Sequence, residues 1–326
     1  MKGFGRYLEG VPLLGRAWLM FVRLKVALGY FADPARQLVI WLFKSRQVSD
    51  FTYDLDEMNK RYLTAFVAQV TSKKYGDIMN YITELEKDNE LREHVQRITR
   101  ASKDINADRD VNYGRRLGWY AIVRAVRPRV VVETGVAAGL GACTLIAALM
   151  RNAAEGFPGR YYGTDINPEA GYLLKGEYAA FGEILYGDSI ESLKKFNRPV
   201  DVFVNDSNHS AEYEAAEYRT IQNRLSPNAI VLGDNAHCTD KLLEFALHTG
   251  RRFLFFQEKP HKHWYPGAGI GAVFCNQQIR RRRRPSQAVH KHRYRPQQSP
   301  NPSEKRILDK RRLSHSPSGS NGRHSD

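Results

Sequence analysis

The middle of the chain alternates between buried-type strands and segments with helical hydrophobic spacing. Five apolar runs predict strands at residues 129–134, 160–165, 182–187, 200–205 and 229–234. The intervening patterns predict helices at 139–152, 167–180 and 210–224. Strands that are separated by helices in this way are typical of a parallel sheet covered on both faces. Two further runs, 252–259 and 271–275, are joined by a loop too short for a crossover helix and predict an antiparallel hairpin at one edge.

The N-terminal third of the chain is mostly helical in pattern. Apolar residues recur at helical spacing between residues 11 and 31, and a second short apolar helix is predicted to start at Pro34. This basic, aromatic pair can lie on an anionic membrane surface, or pack as a lid or against a dimer partner. Residues 54–103 predict two or three helices, the first capped by Asp54 or Asp56 and the next following a break at Gly76-Asp77. A further helix from Gly114 leads into the first strand.

The net charge of +15 belongs to the two ends of the chain. Residues 276–326 hold 14 Lys and Arg against 3 Asp and Glu, and residues 1–44 hold 7 against 2. The tail is also rich in Pro, Ser and Gln and predicts disorder. Arg280 to Arg284 can bind nucleic acid, acidic lipid or a partner, or can simply be solvated. The predicted organisation is a basic helical segment at 1–45, a helical cap at 46–113, an α/β domain at 114–276 and a disordered tail at 277–326.

Targeting signals are not evident in the sequence. Charged residues interrupt the N-terminal apolar stretch, no small-residue cleavage site follows, and no run of 18 apolar residues occurs. The three scattered cysteines favour a reducing compartment. The sequence therefore predicts a cytoplasmic protein that can associate with membranes.

Polar residues follow the first three strands, at the edge where open parallel sheets bind ligands. The first strand ends in "ETGVAAGLGA", whose glycine spacing is not the dinucleotide pattern. Its acid, Glu133, would repel a pyrophosphate and attract an ammonium. Asp165 follows the second strand, where it can accept hydrogen bonds from a ribose diol. Asp188 and Ser189 follow the third strand, where an adenine edge can be read, although each acid alone could be a helix cap.

These three motifs, in this order, resemble the cofactor-binding motifs of class I S-adenosylmethionine-dependent methyltransferases. The resemblance covers residues 115–276 and implies a Rossmann-like, seven-stranded, mostly parallel sheet. It implies that Glu133, Gly135 and Gly139 hold the methionine part of S-adenosylmethionine. It assigns the ribose to Asp165 and the adenine to Asp188 and Ser189.

The fourth and fifth strands end in residues that suit a reacting centre. Asp206, Asp234 and Asn235 supply the oxygen ligands that Mg²⁺ prefers. The arrangement is similar to metal-dependent catechol and caffeoyl-CoA O-methyltransferases, in which an acid ends strand four and an Asp-Asn pair ends strand five. His209 stands where the catechol-type enzymes carry a basic lysine, and histidine can accept a proton near neutral pH.

The substrate pocket is predicted from two loops. We expect His237, after the fifth strand, and the loop between the last two strands to line it, although an aromatic loop can equally be structural. The residues expected from that loop are His261, His263, Trp264 and Tyr265.

The sequence therefore predicts an S-adenosylmethionine-dependent O-methyltransferase of a small hydroxylated molecule, with assistance from a divalent metal. Two alternatives stay open: a nucleic-acid methyltransferase that uses the basic tail, and a non-catalytic S-adenosylmethionine-binding module. The arginines lie outside the predicted domain, which argues against nucleic acid as the partner of the folded part. Peripheral membrane contact through the N-terminal helices and a homodimer are further expectations.

Overall fold

The computed structural model describes residues 12–48, 51–104, 107–234 and 236–275. The strands are β1 (Val130–Thr134), β2 (Arg160–Asp165), β3 (Gly182–Tyr186), β4 (Val200–Asn205), β5 (Leu225–Gly233), β6 (Arg252–Gln257) and β7 (Gly269–Phe274). The helices are α1 (Pro12–Lys44), α2 (Glu57–Thr71), α3 (Tyr75–Glu86), α4 (Asn89–Ala101), α5 (Arg116–Val126), α6 (Leu140–Ala154), α7 (Glu177–Phe181), α8 (Ser189–Lys195), α9 (Ala211–Ile221) and α10 (Lys241–Thr249).

The seven strands form one sheet in the order β3-β2-β1-β4-β5-β7-β6. Strands β1 to β5 pair in parallel, whereas β7 is antiparallel to both β5 and β6. The predicted mostly parallel sheet with an antiparallel terminal hairpin is therefore confirmed. The strand order reverses between β1 and β4, so the carboxyl edge at this switch point is where such sheets bind ligands.

The sheet is buried on both faces, which explains the continuous apolar runs of its central strands. Alternate residues of β1 point to opposite faces: Val131 packs with Trp119 and Leu145 of α5 and α6. Its neighbour Val132 packs with Tyr218 and Phe245 of α9 and α10. The period-2 alternation thus places a helical layer on each side and leaves the strand ends to carry the polar residues.

Two predicted helices differ in the structure. Residues 167–180 are mostly turn, and only Glu177–Phe181 is helical, because Gly171 (φ 73°) and Gly176 (φ 62°) adopt left-handed or related positive-φ conformations. Helix α3 begins at Tyr75, since the break lies earlier, at Ser72 (φ 55°), rather than at Gly76-Asp77. Asp56 caps α2 as predicted, accepting from the Met58 backbone N–H at 3.0 Å.

The two predicted N-terminal helices are one continuous helix, with Pro34 inside it. Proline removes one backbone donor and commonly bends a helix, but here it does not end the helix. None of the helices in the described ranges combines the length and the apolar character needed to traverse a bilayer. The arginine-rich segment and the rest of the predicted tail lie outside the described residues, and the predicted domain limits stay a prediction.

Candidate functional site

A cleft of about 800 Å³ opens along the carboxyl edge of the sheet. This volume lies within the range of small-molecule sites. Residues that follow all five parallel strands line it, together with residues before α2 and at the start of α5. The lining includes Tyr53, Arg115, Arg116, Gly135, Ala137, Thr164, Asp165, Asp188, Ser189, Asp206, His209, Tyr213, Asp234, His237 and Tyr265. Five predicted strand-end residues therefore line one cavity: Asp165, Asp188, Ser189, Asp206 and Asp234.

The turn between β1 and α6 depends on two glycines. Gly135 has φ 81°, and a Cβ at this position would overlap the backbone carbonyl of Asp206. Gly139 has φ 100°, and its Cβ would approach the Leu174 side chain to 2.8 Å. Only glycine adopts such angles without strain at so close an approach. Gly135 therefore lets the β1 turn pass directly against the end of β4, at the wall of the cleft, whereas Gly139 lies behind it.

Glu133, predicted to meet a cofactor ammonium, lies outside the cleft lining. Its side chain is buried beneath the glycine turn, away from the cleft lining, and it accepts a hydrogen bond from the Tyr161 hydroxyl. Gly141 lies directly over this carboxylate, where a Cβ would crowd Glu133 Oε1. Burial raises the pKa of Glu133 to about 7. The residue therefore supports the turn from inside.

Asp165 and Asp188 both line the cleft, and both also accept hydrogen bonds from nearby backbone N–H groups. Asp165 accepts from the backbone N–H groups of Ala137 (2.9 Å) and Asn167 (2.8 Å), so it fixes the β1 turn as well as its own. Asp188 caps α8 by accepting from Glu191 N at 3.0 Å and also accepts from the Tyr213 hydroxyl at 2.8 Å. These bonds hold the pKa of Asp188 below its usual range, the backbone N–H of Glu191 contributing most.

A buried carboxylate, Glu217 of α9, joins the ends of three elements. It accepts from Thr134 Oγ1 (3.2 Å) on β1, from Asn205 Nδ2 on β4, from Ser207 Oγ (2.8 Å) and from Ser189 Oγ on α8. Burial raises its pKa, and the four donors oppose that shift. Asn205 is a buried polar residue at the end of an otherwise mostly apolar strand, and its bond to Glu217 explains it, since an apolar residue there would remove a donor.

Asp206 and Asp234 do come together, as predicted from neighbouring parallel strands, but their surroundings are cationic. Arg115, just before α5, donates from Nε and Nη2 to the two carboxylate oxygens of Asp234. Its Nη1 lies 3.6 Å from Glu258 Oε2. Burial alone would raise the pKa of Asp234, but the Arg115 guanidinium outweighs it and holds the pKa below its usual range. Burial, followed by the neighbouring Asp234 charge, raises the pKa of Asp206 well above its usual range.

The predicted magnesium site does not fit these residues. A divalent cation would have to displace the bidentate Arg115 from Asp234 and sit beside a guanidinium. Within the described ranges, no group of three or more His, Cys, Asp or Glu side chains could hold a metal ion. Asn235, the third predicted ligand, lies outside the described residues. An arginine thus occupies the place where the sequence suggested a metal.

The predicted base and substrate residues divide into two groups. His209, His237 and Tyr265 line the cleft, and both histidines are exposed. His261 is exposed outside the cleft lining. His263 and Trp264 pack in an aromatic cluster with Phe51, at ring-centroid distances of 5.7 and 5.3 Å. Burial lowers the pKa of His263, consistent with a structural role. The structural interpretation of this loop therefore holds for its first part, and Tyr265 alone of its four predicted residues reaches the cleft.

Sequence reasoning missed the two arginines at the start of α5. Arg115 pairs with Asp234, 119 positions later, and no local pattern signals that contact. Arg116 also lines the cleft, and its buried Nε has no hydrogen-bond partner among the described residues. The sequence did offer one signal for them, because the two arginines are adjacent at the start of the helix that precedes the first strand.

Comparison with known proteins identifies the domain. Residues 132–236 match the family model described as methyltransferase domain, over about a third of the chain. This match confirms the resemblance to class I S-adenosylmethionine-dependent methyltransferases, and the chain carries a methyltransferase domain of that type. The comparison with curated proteins finds no match.

Three similar solved structures illustrate the neighbourhood of the fold. The O-methyltransferase TomG from Streptomyces achromogenes, in complex with SAM, is 16% identical, with 58% of this chain and 92% of that chain covered and a TM-score of 0.43. An O-methyltransferase from Bacillus cereus, in complex with SAH, is 15% identical, with 60% and 96% covered and a TM-score of 0.41. The SAH-bound Podospora anserina methyltransferase PaMTH1 is 15% identical, with 70% and 100% covered and a TM-score of 0.43.

Proposed function

We propose that the protein transfers a methyl group from S-adenosylmethionine to a hydroxyl oxygen of a small molecule. The observation that carries this proposal is the single cleft shared by Gly135, Asp165 and Asp188, from three strand ends, and by His209 after the fourth. Gly135, Asp165 and Asp188 lie in the matched methyltransferase domain, where they would hold the cofactor. His209 would be the proton acceptor beside them.

The cleft residues fit S-adenosylmethionine. Gly135 lines the cleft where its turn passes against the Asp206 carbonyl, and buried Thr164 Oγ1 and Arg116 Nε have no hydrogen-bond partner among the described residues. Asp165 would accept from the ribose hydroxyls, and Asp188 with Ser189 would border the adenine. Arg116, rather than the buried Glu133, would meet the methionine end by pairing with its carboxylate.

The chain's own contribution to the reaction is positioning and proton transfer. When bound, the cofactor supplies a methyl group already activated by a sulfonium. His209 would take the proton of the acceptor hydroxyl, since an imidazole is a suitable base near neutral pH. The Arg115–Asp234 pair and Tyr265 would shape the acceptor side of the cleft. A divalent metal is not part of the proposed reaction, because Arg115 occupies the Asp234 carboxylate that would bind it.

The test is methyl transfer by the purified full chain from methyl-labelled S-adenosylmethionine to small molecules of a cell extract, with mass spectrometry of the labelled product. An O-methylated product is expected. His209→Ala should lower turnover by about 100-fold or more while the affinity for S-adenosylhomocysteine stays unchanged. His248→Ala, an exposed histidine on α10 outside the cleft lining, is the matched control and should have no effect.

The possible results separate the hypotheses. Equal turnover of His209→Ala and the unmodified chain would remove His209 as the base. Labelled product that carries its methyl on nitrogen or carbon would exclude O-methylation. Binding of S-adenosylhomocysteine without any labelled product would instead support the non-catalytic binding module.

A further inference from the structure

Helix α1 presents a broad apolar face that no described part of the chain covers. Along that face, eight large apolar side chains fall within an arc of about 100° at 100° per residue. The apolar face of α1 consists of Met20, Phe21, Leu24, Leu28, Phe31, Leu38, Val39 and Leu42. Their exposed fractions run from 37% for Leu38 to 69% for Met20, so the face is open along its whole length.

The charges of α1 all lie outside this arc, on the remaining part of the helix, which also carries exposed Val26 and Tyr30. They comprise five basic residues and one acid: Arg16, Arg23, Lys25, Asp33, Arg36 and Lys44. All six are exposed, and none forms an ion pair with another described residue. A wide apolar face backed by basic residues is the pattern of a helix that lies in the plane of an anionic lipid surface.

Among the described residues, the aromatic contacts between α1 and the body of the protein all come from the C-terminal end of the helix. The Trp41 ring lies 5.2 Å from the Trp264 ring and 5.8 Å from the Phe51 ring. Phe51 in turn contacts Tyr265 at 5.3 Å, and both line the cleft. The exposure of the apolar face is therefore not relieved by packing, and the helix is joined to the protein next to the cleft.

We propose that the apolar face of α1 binds the surface of a membrane that contains anionic lipids. The face would enter the boundary between headgroups and acyl chains, while the basic residues would remain with the lipid phosphates. This inference does not depend on the proposed methyl transfer.

A second copy of the chain is a poorer occupant. A coiled-coil seam uses two positions in seven with charged flanks that select the partner, whereas here the flanking Met20 and Val39 are apolar. Five basic residues against one acid would also repel an identical helix, but they would attract anionic lipid. Pro34 would further disturb a continuous seam.

The test is sedimentation of the full chain with vesicles of phosphatidylcholine, with or without about one-third phosphatidylglycerol. Leu24→Glu and Val26→Glu form a matched pair: the two residues are 58% and 57% exposed, and the charge change is the same. Leu24 lies in the apolar face and Val26 on the charged side. Because residues 276–326 are identical in both variants, any lipid binding by the basic tail cancels in the comparison.

We expect the unmodified chain to prefer the anionic vesicles. Val26→Glu should weaken binding by up to about fivefold, the effect of one charge near the surface. Leu24→Glu should weaken it by at least about a further tenfold, because it also removes a leucine that the lipid would bury. Equal binding of the two variants, or equal binding to vesicles with and without phosphatidylglycerol, would overturn the proposal. A lipid-free dimer that Leu24→Glu dissociates and Val26→Glu preserves would assign the face to a second copy and overturn it as well.

Discussion

Replacing Arg115 by glutamine should destabilise the protein more than any surface charge change. The guanidinium donates to both oxygens of Asp234, and its Nη1 lies 3.6 Å from Glu258. The arginine side chain is 13% exposed and the two acids 3% or less, so water cannot replace the lost cation. Glutamine would leave two buried carboxylates without their counter-charge.

The magnitude follows from that geometry. At an effective dielectric constant of about 20, unit charges 3.6 Å apart attract by about 5 kcal/mol before desolvation is considered. Removing one partner of a buried pair costs about 3–5 kcal/mol in practice. Since a whole domain is stable by about 5–15 kcal/mol, Arg115→Gln should lose a large share of the free energy of unfolding.

The assay is urea unfolding of the single variants Arg115→Gln and Asp234→Asn and of the double variant Arg115→Gln/Asp234→Asn. The double variant replaces the ion pair by two amides and should recover at least about 2 kcal/mol relative to the sum of the single losses. Lys194→Gln, which breaks a fully exposed pair with Glu191, is the control and should leave the midpoint nearly unchanged. A loss below about 1 kcal/mol for Arg115→Gln, or simple additivity, would refute the reasoning.

Three further outcomes are expected. Glu133→Gln keeps the acceptor for the Tyr161 hydroxyl but cannot ionise. Because the folded pKa of Glu133 is raised to about 7, the unmodified chain should lose about 3 kcal/mol of unfolding free energy relative to this variant as pH rises from below 4.5 to above 7. Parallel pH profiles of urea unfolding for the two proteins would contradict this. Gly135→Ala should abolish binding of S-adenosylhomocysteine and lower the thermal midpoint sharply, whereas Gly156→Ala, at φ 88° with open space around it, should cost only about 1 kcal/mol; equal midpoints would show that the Asp206 contact is unimportant. EDTA should leave methyl transfer unchanged, and a requirement for Mg²⁺ would contradict the place given to Arg115.

The fold was predictable because its signals are local. Apolar runs that lead into Glu133, Asp165 and Asn205 predict the strands almost residue by residue, and the glycine turn of Gly135 and Gly139 follows the first of them. The short loop before Gly269 was sufficient to predict the antiparallel hairpin. Parallel neighbours bring their ends to one edge, which is why the cleft residues could be assembled from sequence alone.

The chemistry of the site was less predictable because its partners are distant along the chain. Nothing near Asp234 reveals that Arg115 pairs with it, so two acids and an amide suggested a metal. Glu217, inside an ordinary amphipathic helix, gave no sign that it receives four hydrogen bonds at the strand ends. Burial of Glu133 depends on where Tyr161 and Gly141 fall in three dimensions, which hydrophobic spacing does not encode.

The central claim is that the cleft at the carboxyl edge of the sheet binds S-adenosylmethionine, and calorimetric titration with S-adenosylhomocysteine tests it most directly. Asp165→Asn, in the cleft, should weaken binding by about tenfold through loss of charge-assisted hydrogen bonds. Asp201→Asn is the matched control: its carboxylate accepts from Arg129 N at 2.9 Å and Ser226 Oγ at 2.7 Å, outside the cleft lining, and its affinity should equal that of the unmodified chain. Absence of binding by the unmodified chain, or equal affinity of the two variants, would contradict the account.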